Sequence, residues 1–167
     1  MVIMAITKGL VYRANNKIAK ANEVADTLIK AQPLNPDFLT FKGVLLLQQQ
    51  QWSLAVTAFE QVLSNKPGDF NSLFNIANAK AALGQLDNAK SITTNLLETQ
   101  AEYAPLIILD AKLDRDMENI PLAIEKLSKL TSASKTNIKA SEALVDIYTQ
   151  QGEFESALNE LDKLNKV

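Results

Sequence analysis

The sequence contains no cysteine and no histidine among its 167 residues. Without cysteine it cannot form a disulfide, ligate zinc through thiolates or use a thiol nucleophile. Without histidine it lacks the commonest general base and metal ligand, so serines such as Ser53 and Ser141 have no imidazole to activate them. The five glycines are dispersed and form no glycine-rich phosphate loop. These absences predict a protein that is not an enzyme and binds no cofactor or metal.

The chain also lacks an excess of either charge, since 17 basic and 19 acidic residues give a net charge of −2. Nucleic-acid and anionic-membrane binders usually carry a basic block, and the only arginines are Arg13 and Arg115. The apolar run at residues 43–47 is far shorter than the roughly 20 residues of a membrane-spanning helix. The first ten residues lack the basic segment of a secretory signal. We therefore expect neither nucleic-acid binding nor membrane insertion, and both the cytoplasm and a bacterial periplasm fit.

The residues that are present repeat with a fixed period. Alanine recurs every 34 residues, at Ala21, Ala55, Ala89, Ala123 and Ala157. Such a period predicts an array of similar structural units. If each alanine is the twentieth residue of its repeat, the repeats begin at Val2, Pro36, Phe70, Ala104 and Ile138. The nth residue of every repeat is called column n below.

Other columns keep one residue character in all five repeats. Column eight is small or nearly so: Gly9, Gly43, Ala77, Ala111 and Val145. Column seventeen is bulky: Ile18, Trp52, Leu86, Ile120 and Phe154. Each repeat is predicted to form two helices, joined by a short turn such as Gln50-Gln51. The small columns let two antiparallel helices approach closely, and the bulky columns cover the neighbouring repeat.

This pattern resembles the tetratricopeptide repeat family, in which column eight is small, column twenty is alanine, column twenty-four is aromatic and column thirty-two is proline. The second repeat matches best, through Gly43, Ala55, Phe59 and Pro67. The resemblance implies an all-α fold, a right-handed α-solenoid of antiparallel helix pairs forming one domain over residues 1–167. It also implies a non-catalytic protein–protein interaction scaffold. The lysine and asparagine usage is typical of bacterial proteins.

The fourth repeat departs from the family pattern. Asp110 and Asp114 stand four residues apart where the family has apolar residues, and Lys80 occupies the column of Asp114 in the third repeat. We expect a structural ion pair with Lys80, exposure of the carboxylates, or a rotated helix. Residues 114–125 imitate a calcium loop, but Asn119 replaces the glycine of the sharp turn. This segment is therefore predicted to be an acidic turn.

The resemblance further implies a concave groove lined by the first helix of each repeat. The groove positions of the central repeats are Phe41, Val44, Leu47, Gln48, Asn71, Phe74, Asn75, Asn78, Ile108, Lys112 and Arg115. Four of them are the expected apolar anchors: Phe41, Leu47, Phe74 and Ile108. Four others would set polarity and register: Asn75, Asn78, Lys112 and Arg115. Such a surface suits a peptide or partner protein.

Two alternatives qualify the groove. Phe74 and Ile108 could pack between repeats instead of contacting a ligand. A clamp for C-terminal carboxylates, as in chaperone-binding members of the family, is not expected, because among the matching positions only Asn75 and Lys112 have a suitable side chain.

The fifth repeat should leave part of an apolar end face open. The residues concerned are Leu144, Tyr148, Leu158 and Leu161. We expect the domain to be part of a longer protein in which further chain covers this face. The alternative function is self-association through the C-terminal end face, with a homodimer as one product.

Overall fold

A computed structural model describes residues 2–133 and 137–164. All regular elements in these ranges are α-helices. The N-terminal lobe, Met1–Gln85, contains α1 (Val2–Ala14), α2 (Ile18–Ala31), α3 (Pro36–Gln48), α4 (Trp52–Asn65) and α5 (Phe70–Ala82). The C-terminal lobe, Leu86–Val167, contains α6 (Leu86–Thr99), α7 (Ala104–Asp116), α8 (Ile120–Ala133), α9 (Ile138–Gln150) and α10 (Phe154–Leu164). In the described residues, none of these helices has the length and apolar character needed to cross a membrane.

The odd-numbered helices α1, α3, α5, α7 and α9 begin at the residues where the period places the start of each repeat. Local sequence explains two of these starts. The side chain of Asn35 accepts a hydrogen bond from the Asp37 amide at 3.0 Å, and Pro36 occupies the first turn, where its missing N–H is harmless. Asp69 accepts from the Ser72 amide at 2.8 Å. One domain over residues 1–167 stays a prediction.

The turn inside each repeat has a left-handed residue in column fifteen. Glycine stands there in two repeats, but Gln50 adopts a φ of 58° in the second. The residue after it closes the helix end, because the Gln51 amide donates to the Leu46 carbonyl at 2.9 Å. The four-glutamine run therefore ends α3 and forms the turn to α4, as its place in the repeat predicts.

Small residues in column eight bring helices of the N-terminal lobe into close contact with aromatic rings. A Cβ added to Gly9 would lie 2.7 Å from Cζ of Phe41, and one added to Gly43 would lie 2.7 Å from Cζ of Phe59. Phe41 also shares a buried cluster with Ala25 of α2. At Gly9 and Gly43 the helix backbone therefore packs directly against an aromatic ring.

The C-terminal lobe has a separate apolar core built from α7, α8 and α9. Its buried members are Ile108, Ala111, Ala123, Leu127, Ala140, Ala143, Leu144 and Ile147. Column twenty supplies Ala123, which is fully buried, as are the alanines of this column in the preceding repeats. Small side chains at this column let α8 lie close to its neighbours.

The contact between Gly43 and Phe59 predicts the sign of the stability change in Gly43→Ala. At an open helical position, glycine to alanine stabilises by about 1 kcal/mol. Here the added methyl would overlap the ring of Phe59, so Gly43→Ala should instead lower the free energy of unfolding by about 1–3 kcal/mol. Urea denaturation measures the difference, and adding Phe59→Leu should recover part of it.

The control for this experiment is Gln61→Ala, an exposed position on α4 that should change stability by less than about 0.5 kcal/mol. A Gly43→Ala protein more stable than the wild type would show that the ring does not limit this site.

Candidate functional site

In the N-terminal lobe, the expected groove positions lie on α3 and α5. On α3, Val44 and Leu47 are half-buried and Gln48 is exposed. These three side chains are spaced by three and one residues at the end of the helix, so they lie on one side of it. The α3 positions therefore offer a small apolar surface bordered by an amide.

The α5 positions form a polar row around one aromatic ring. Asn71 is exposed, while Asn75 and Asn78 are half-buried at the next two positions of the same helix face. Phe74 lies between them, half-buried and stacked on Phe70 with ring centroids 6.1 Å apart. The Asn78 side-chain amide donates to the Phe74 carbonyl at 2.9 Å. This hydrogen bond fixes the side chain of Asn78 against its own helix.

Two of the predicted anchors are not available to a ligand. Phe41 is 5% exposed because its ring enters the space left by Gly9 and Ala25. Ile108 is 8% exposed and belongs to the core formed by α7, α8 and α9. The expectation that Phe41 and Ile108 anchor a ligand is therefore corrected, and for Ile108 the packing alternative holds.

In the C-terminal lobe, the remaining groove positions lie on α7. Lys112 is exposed. Arg115 is half-buried and its guanidinium pairs with the adjacent Asp116 at 2.7 Å. Its charge is thus partly neutralised within the helix, and Lys112 is the more accessible cation of the two.

Two aspartates on α7 form a buried ionic cluster with lysines of the flanking helices. Asp110 and Asp114 are each 1% exposed. Lys90 on α6 contacts Oδ1 of Asp110 at 2.8 Å and Oδ1 of Asp114 at 2.6 Å, while Lys126 on α8 binds both carboxylates through Oδ2. The Thr93 hydroxyl donates to Asp110 Oδ1 at 2.6 Å. Two negative and two positive groups therefore compensate each other.

The pairing that the sequence suggested is present, but its partners come from other positions. The expected partner, Lys80, donates to the side-chain carbonyl of Gln85 at 3.3 Å. The carboxylates are buried, so the expectation of exposure is wrong. Lys90 and Lys126 were missed because they stand in columns twenty-one and twenty-three, where most repeats of this chain have uncharged residues. The sequence did offer a signal for this pairing, because one of these lysines stands on the helix before α7 and the other on the helix after it.

The environment shifts two of these groups towards their charged forms. Burial by itself raises the pKa of Asp110, but hydrogen bonds from Lys126, Lys90 and Thr93 outweigh it and bring the pKa below the ordinary 3.8. Burial by itself lowers the pKa of Lys126, but its hydrogen bonds to Asp110 and Asp114 raise it above its ordinary value. Asp110 and Lys126 are therefore both charged at neutral pH, and the cluster is a structural element.

The calcium-loop segment shows no metal-binding arrangement. Residues 114–125 span the end of α7, a turn and the start of α8, and Asp114 is already paired with lysines. Within the described ranges, no group of three or more acidic side chains is placed to hold a metal ion.

Helices α1 and α10 each expose an apolar face. On α10, Phe154, Leu158 and Leu161 are 64%, 62% and 41% exposed. The exposure of Leu158 and Leu161 was expected, whereas Leu144 is buried in the core of its lobe. On α1, Met4 is 77% exposed and Val11 is 51% exposed. The α1 face was missed, although the repeat pattern places both residues in columns that are otherwise apolar or small.

The ionic cluster predicts a loss of stability when one carboxylate is removed. In Asp110→Asn, Lys90 and Lys126 would share the single carboxylate of Asp114. We expect the free energy of unfolding at pH 7 to fall by about 3 kcal/mol, as measured by urea denaturation. Asp146→Asn, an exposed aspartate on α9, is the matched control. Equal stability of the two variants would contradict the role of the cluster.

The same cluster predicts how this loss depends on pH. The folded pKa of Asp110 lies below 3.8, so its stabilisation is complete above that value and disappears as the pH falls through the folded pKa. The folded pKa of Lys126 lies above 10.5, so its stabilisation is complete below 10.5 and disappears only at higher pH. The stability difference between wild type and Asp110→Asn should be constant between about pH 5 and pH 9 and shrink in stronger acid. A difference that grows in acid would contradict these directions.

The tetratricopeptide repeat family model matches the chain over residues 6–70 and 42–92. Together these matches cover residues 6–92, just over half of the chain. No curated protein sequence is significantly similar to it.

Several solved structures share the fold. TTC0263, a thermophilic TPR protein of Thermus thermophilus, is 18% identical, with coverage of 99% of this chain and 91% of that one and a TM-score of 0.82. MamA 41-end from Desulfovibrio magneticus RS-1 is 16% identical, with coverage of 99% and 93% and a TM-score of 0.81. A tetratricopeptide repeat protein from Parabacteroides merdae is 18% identical, with coverage of 98% and 65% and a TM-score of 0.75.

These neighbours are bacterial proteins. At such low identity the likeness shows the fold alone, and it confirms the all-α, solenoid class of helix pairs. The number of complete repeats stays a prediction, because the family model matches only residues 6–92. The chain belongs to the tetratricopeptide repeat family.

Proposed function

We propose that this protein is a non-catalytic scaffold that binds a peptide or partner protein on the exposed faces of its first helices. Membership of the family supports a protein–protein interaction scaffold in general. The finer proposal concerns where the ligand lies and which side chains hold it. The proposed contact regions are two, one on each lobe.

The contact region of the N-terminal lobe is supported by the α5 face. Phe74 offers a large apolar surface that is already held by stacking on Phe70, so little side-chain freedom is lost when a ligand covers it. Asn71 and Asn75 stand three residues before and one residue after Phe74 on the same helix. An amide can both donate and accept, which suits the backbone of a bound peptide. This arrangement is the observation that carries the proposal.

Val44, Leu47 and Gln48 of α3 are proposed to extend this region. Of the two anchors expected on α3, Leu47 remains once Phe41 is assigned to the core, and Val44 adds apolar surface beside it. With Phe74, Leu47 gives the region two anchors instead of the four expected from the sequence. A ligand with two apolar side chains flanked by polar backbone would fit this pattern.

The contact region of the C-terminal lobe consists of Lys112 and Arg115 on α7. Lys112 is exposed, and Arg115 keeps an ion pair with Asp116. We assign these cations the weaker role of favouring ligands with acidic residues, because exposed ion pairs contribute little affinity.

The proposal predicts which substitutions weaken ligand binding. Peptides selected from a phage-displayed random library on the full chain would be measured against each variant by fluorescence anisotropy. Phe74→Glu with Asn78→Ala should raise the dissociation constant at least about tenfold, because it removes an anchor and places a charge in the apolar contact. Gln48→Lys, an exposed change at the end of α3, should weaken binding without disturbing the fold.

The matched control is Leu54→Glu with Asn65→Ala on α4. Leu54 is exposed, and the Asn65 amide donates to the Gln61 carbonyl at 3.1 Å, as Asn78 does to Phe74 on α5. This variant should bind like the wild type. Thermal melting by circular dichroism verifies that each variant is folded. If the folded α5 variant and Gln48→Lys retained full affinity, the proposed contact region would be wrong.

A second candidate function is self-association through the end face of the C-terminal lobe. It is favoured by the apolar stripe on α10, where Phe154, Leu158 and Leu161 are exposed at helical spacing. Contiguous exposed apolar side chains of this kind typically mark an interaction surface. The two functions use different helices, so the chain can have both.

A further inference from the structure

The exposed side chains of α10 stand in columns that are covered in the other second helices. Column twenty-four is fully buried in α2, α4, α6 and α8, where it holds Ala25, Phe59, Thr93 and Leu127. In α10 the same column holds Leu161, which is 41% exposed. Column seventeen is half-buried in the other four second helices, but Phe154 is 64% exposed. Among the described residues, α10 lacks the helix that covers this face elsewhere.

The missing cover is a first helix. In the N-terminal lobe, Ala25 of α2 is buried in a cluster with Phe41 and Leu45 of α3. In the C-terminal lobe, Leu127 of α8 is buried in a cluster with Ala143 and Leu144 of α9. In both lobes, a second helix is therefore covered by the first helix of the next repeat.

Helix α1 exposes side chains in columns that are buried in the other first helices. Column three is at most 1% exposed in α3, α5, α7 and α9, where it holds Phe38, Ser72, Leu106 and Ala140. Met4 of α1 stands in this column and is 77% exposed. Column ten is equally buried in those four helices, whereas Val11 is 51% exposed. Within the described residues, Met4 and Val11 of α1 thus lack the cover that their columns have in the other first helices.

An ion pair inside the N-terminal lobe shows how such a junction is oriented. Lys42 of α3 contacts Asp26 of α2 at 2.8 Å. Lys42 stands in column seven, and Asp26 stands in column twenty-five of the preceding repeat. Lys8 of α1 and Asp162 of α10 occupy the same two columns. If α1 docked on α10 as α3 docks on α2, Lys8 would meet Asp162.

The side-chain sizes are complementary at the same junction. Where column twenty-four is small, as at Ala25, column six of the next first helix is the large Phe41. Where column twenty-four is large, as at Leu127, column six is Ala143. The large Leu161 on α10 would meet Thr7 of α1, which again joins a large side chain to a small one.

The charges of the two helices favour the same contact. Helix α1 carries two basic residues, Lys8 and Arg13, and no acidic residue. Helix α10 carries three acidic residues and one lysine. On α10, Glu160 is buried and paired with Lys163, so the net negative charge of this helix comes from Glu155 and Asp162. Opposite net charges on the two helices favour association of one with the other over association of like helices.

We propose that α1 of one copy docks on the Phe154–Leu158–Leu161 face of α10 in a second copy, with Lys8 paired to Asp162. This rests on the second candidate function, self-association through α10, and adds the partner surface and its orientation. The two surfaces differ, so the contact is heterologous and each copy keeps one face open. In this assembly copies add head to tail and form an open chain or, if the rotation closes, a ring of three or more copies.

The first test measures mass against concentration by sedimentation velocity and multi-angle light scattering on the full chain. The wild type should form dimers and then longer species as the concentration rises. Met4→Glu and Leu158→Glu each place a charge in the apolar contact and should raise the dissociation constant at least about tenfold. Leu54→Glu, at another exposed leucine, should associate like the wild type.

The second test is a charge exchange that only a head-to-tail contact satisfies. Lys8→Asp and Asp162→Lys should each weaken association about fivefold. Mixing these two variants should restore it, because each then meets a partner with the opposite charge at both junctions. The double variant with both changes in one chain should also associate like the wild type.

The outcomes distinguish a failure of the α1 contact from a failure of self-association through α10. If Leu158→Glu blocked association while Met4→Glu and Lys8→Asp did not, self-association through α10 would hold and the α1 contact would be wrong. Assembly that stopped at a dimer, or variants that failed to restore each other, would also overturn the head-to-tail contact. A wild type that stayed monomeric at all concentrations would overturn both.

Discussion

A helix pair of this fold cannot bury the apolar face of its own second helix, and this constraint decides how the repeats pack. The helices have 11 to 14 residues, a length at which an isolated helix is marginal in water. Their order comes from the junctions, where the next first helix covers columns seventeen and twenty-four. Stability therefore belongs to contacts between repeats more than to any single repeat.

The constraint also explains why the size of the side chain in column twenty-four affects the burial of column six in the next repeat. Phe41 is buried because column twenty-four of the preceding repeat is Ala25, which leaves space for a ring. In the following repeat, column twenty-four is the large Phe59, and the residue in column six is Asn75, which is only half-buried. The exposed face of each first helix is thus set partly by the helix behind it.

Much of the fold follows from the sequence because periodicity reports directly on helix positions. The start of α3 at Pro36 is additionally fixed by a local cap, which depends on neighbouring residues alone. The candidate site was harder to predict, because burial of Phe41 and Ile108 depends on how two helices pack, and the family pattern does not contain that information. The partners of Asp110 were missed for the same reason, since Lys90 and Lys126 reach it from separate helices.

The buried charges around α7 have a consequence for how the array could have diversified. Repeats with one backbone geometry could in principle be exchanged by recombination within the gene. Moving the α7–α8 repeat behind a different second helix would remove Lys90 and leave Asp110 and Asp114 with half of their positive charge in a dry interior. The order of α6 and the α7–α8 repeat along the chain is therefore constrained by charge compensation as well as by the side-chain sizes that match at each junction.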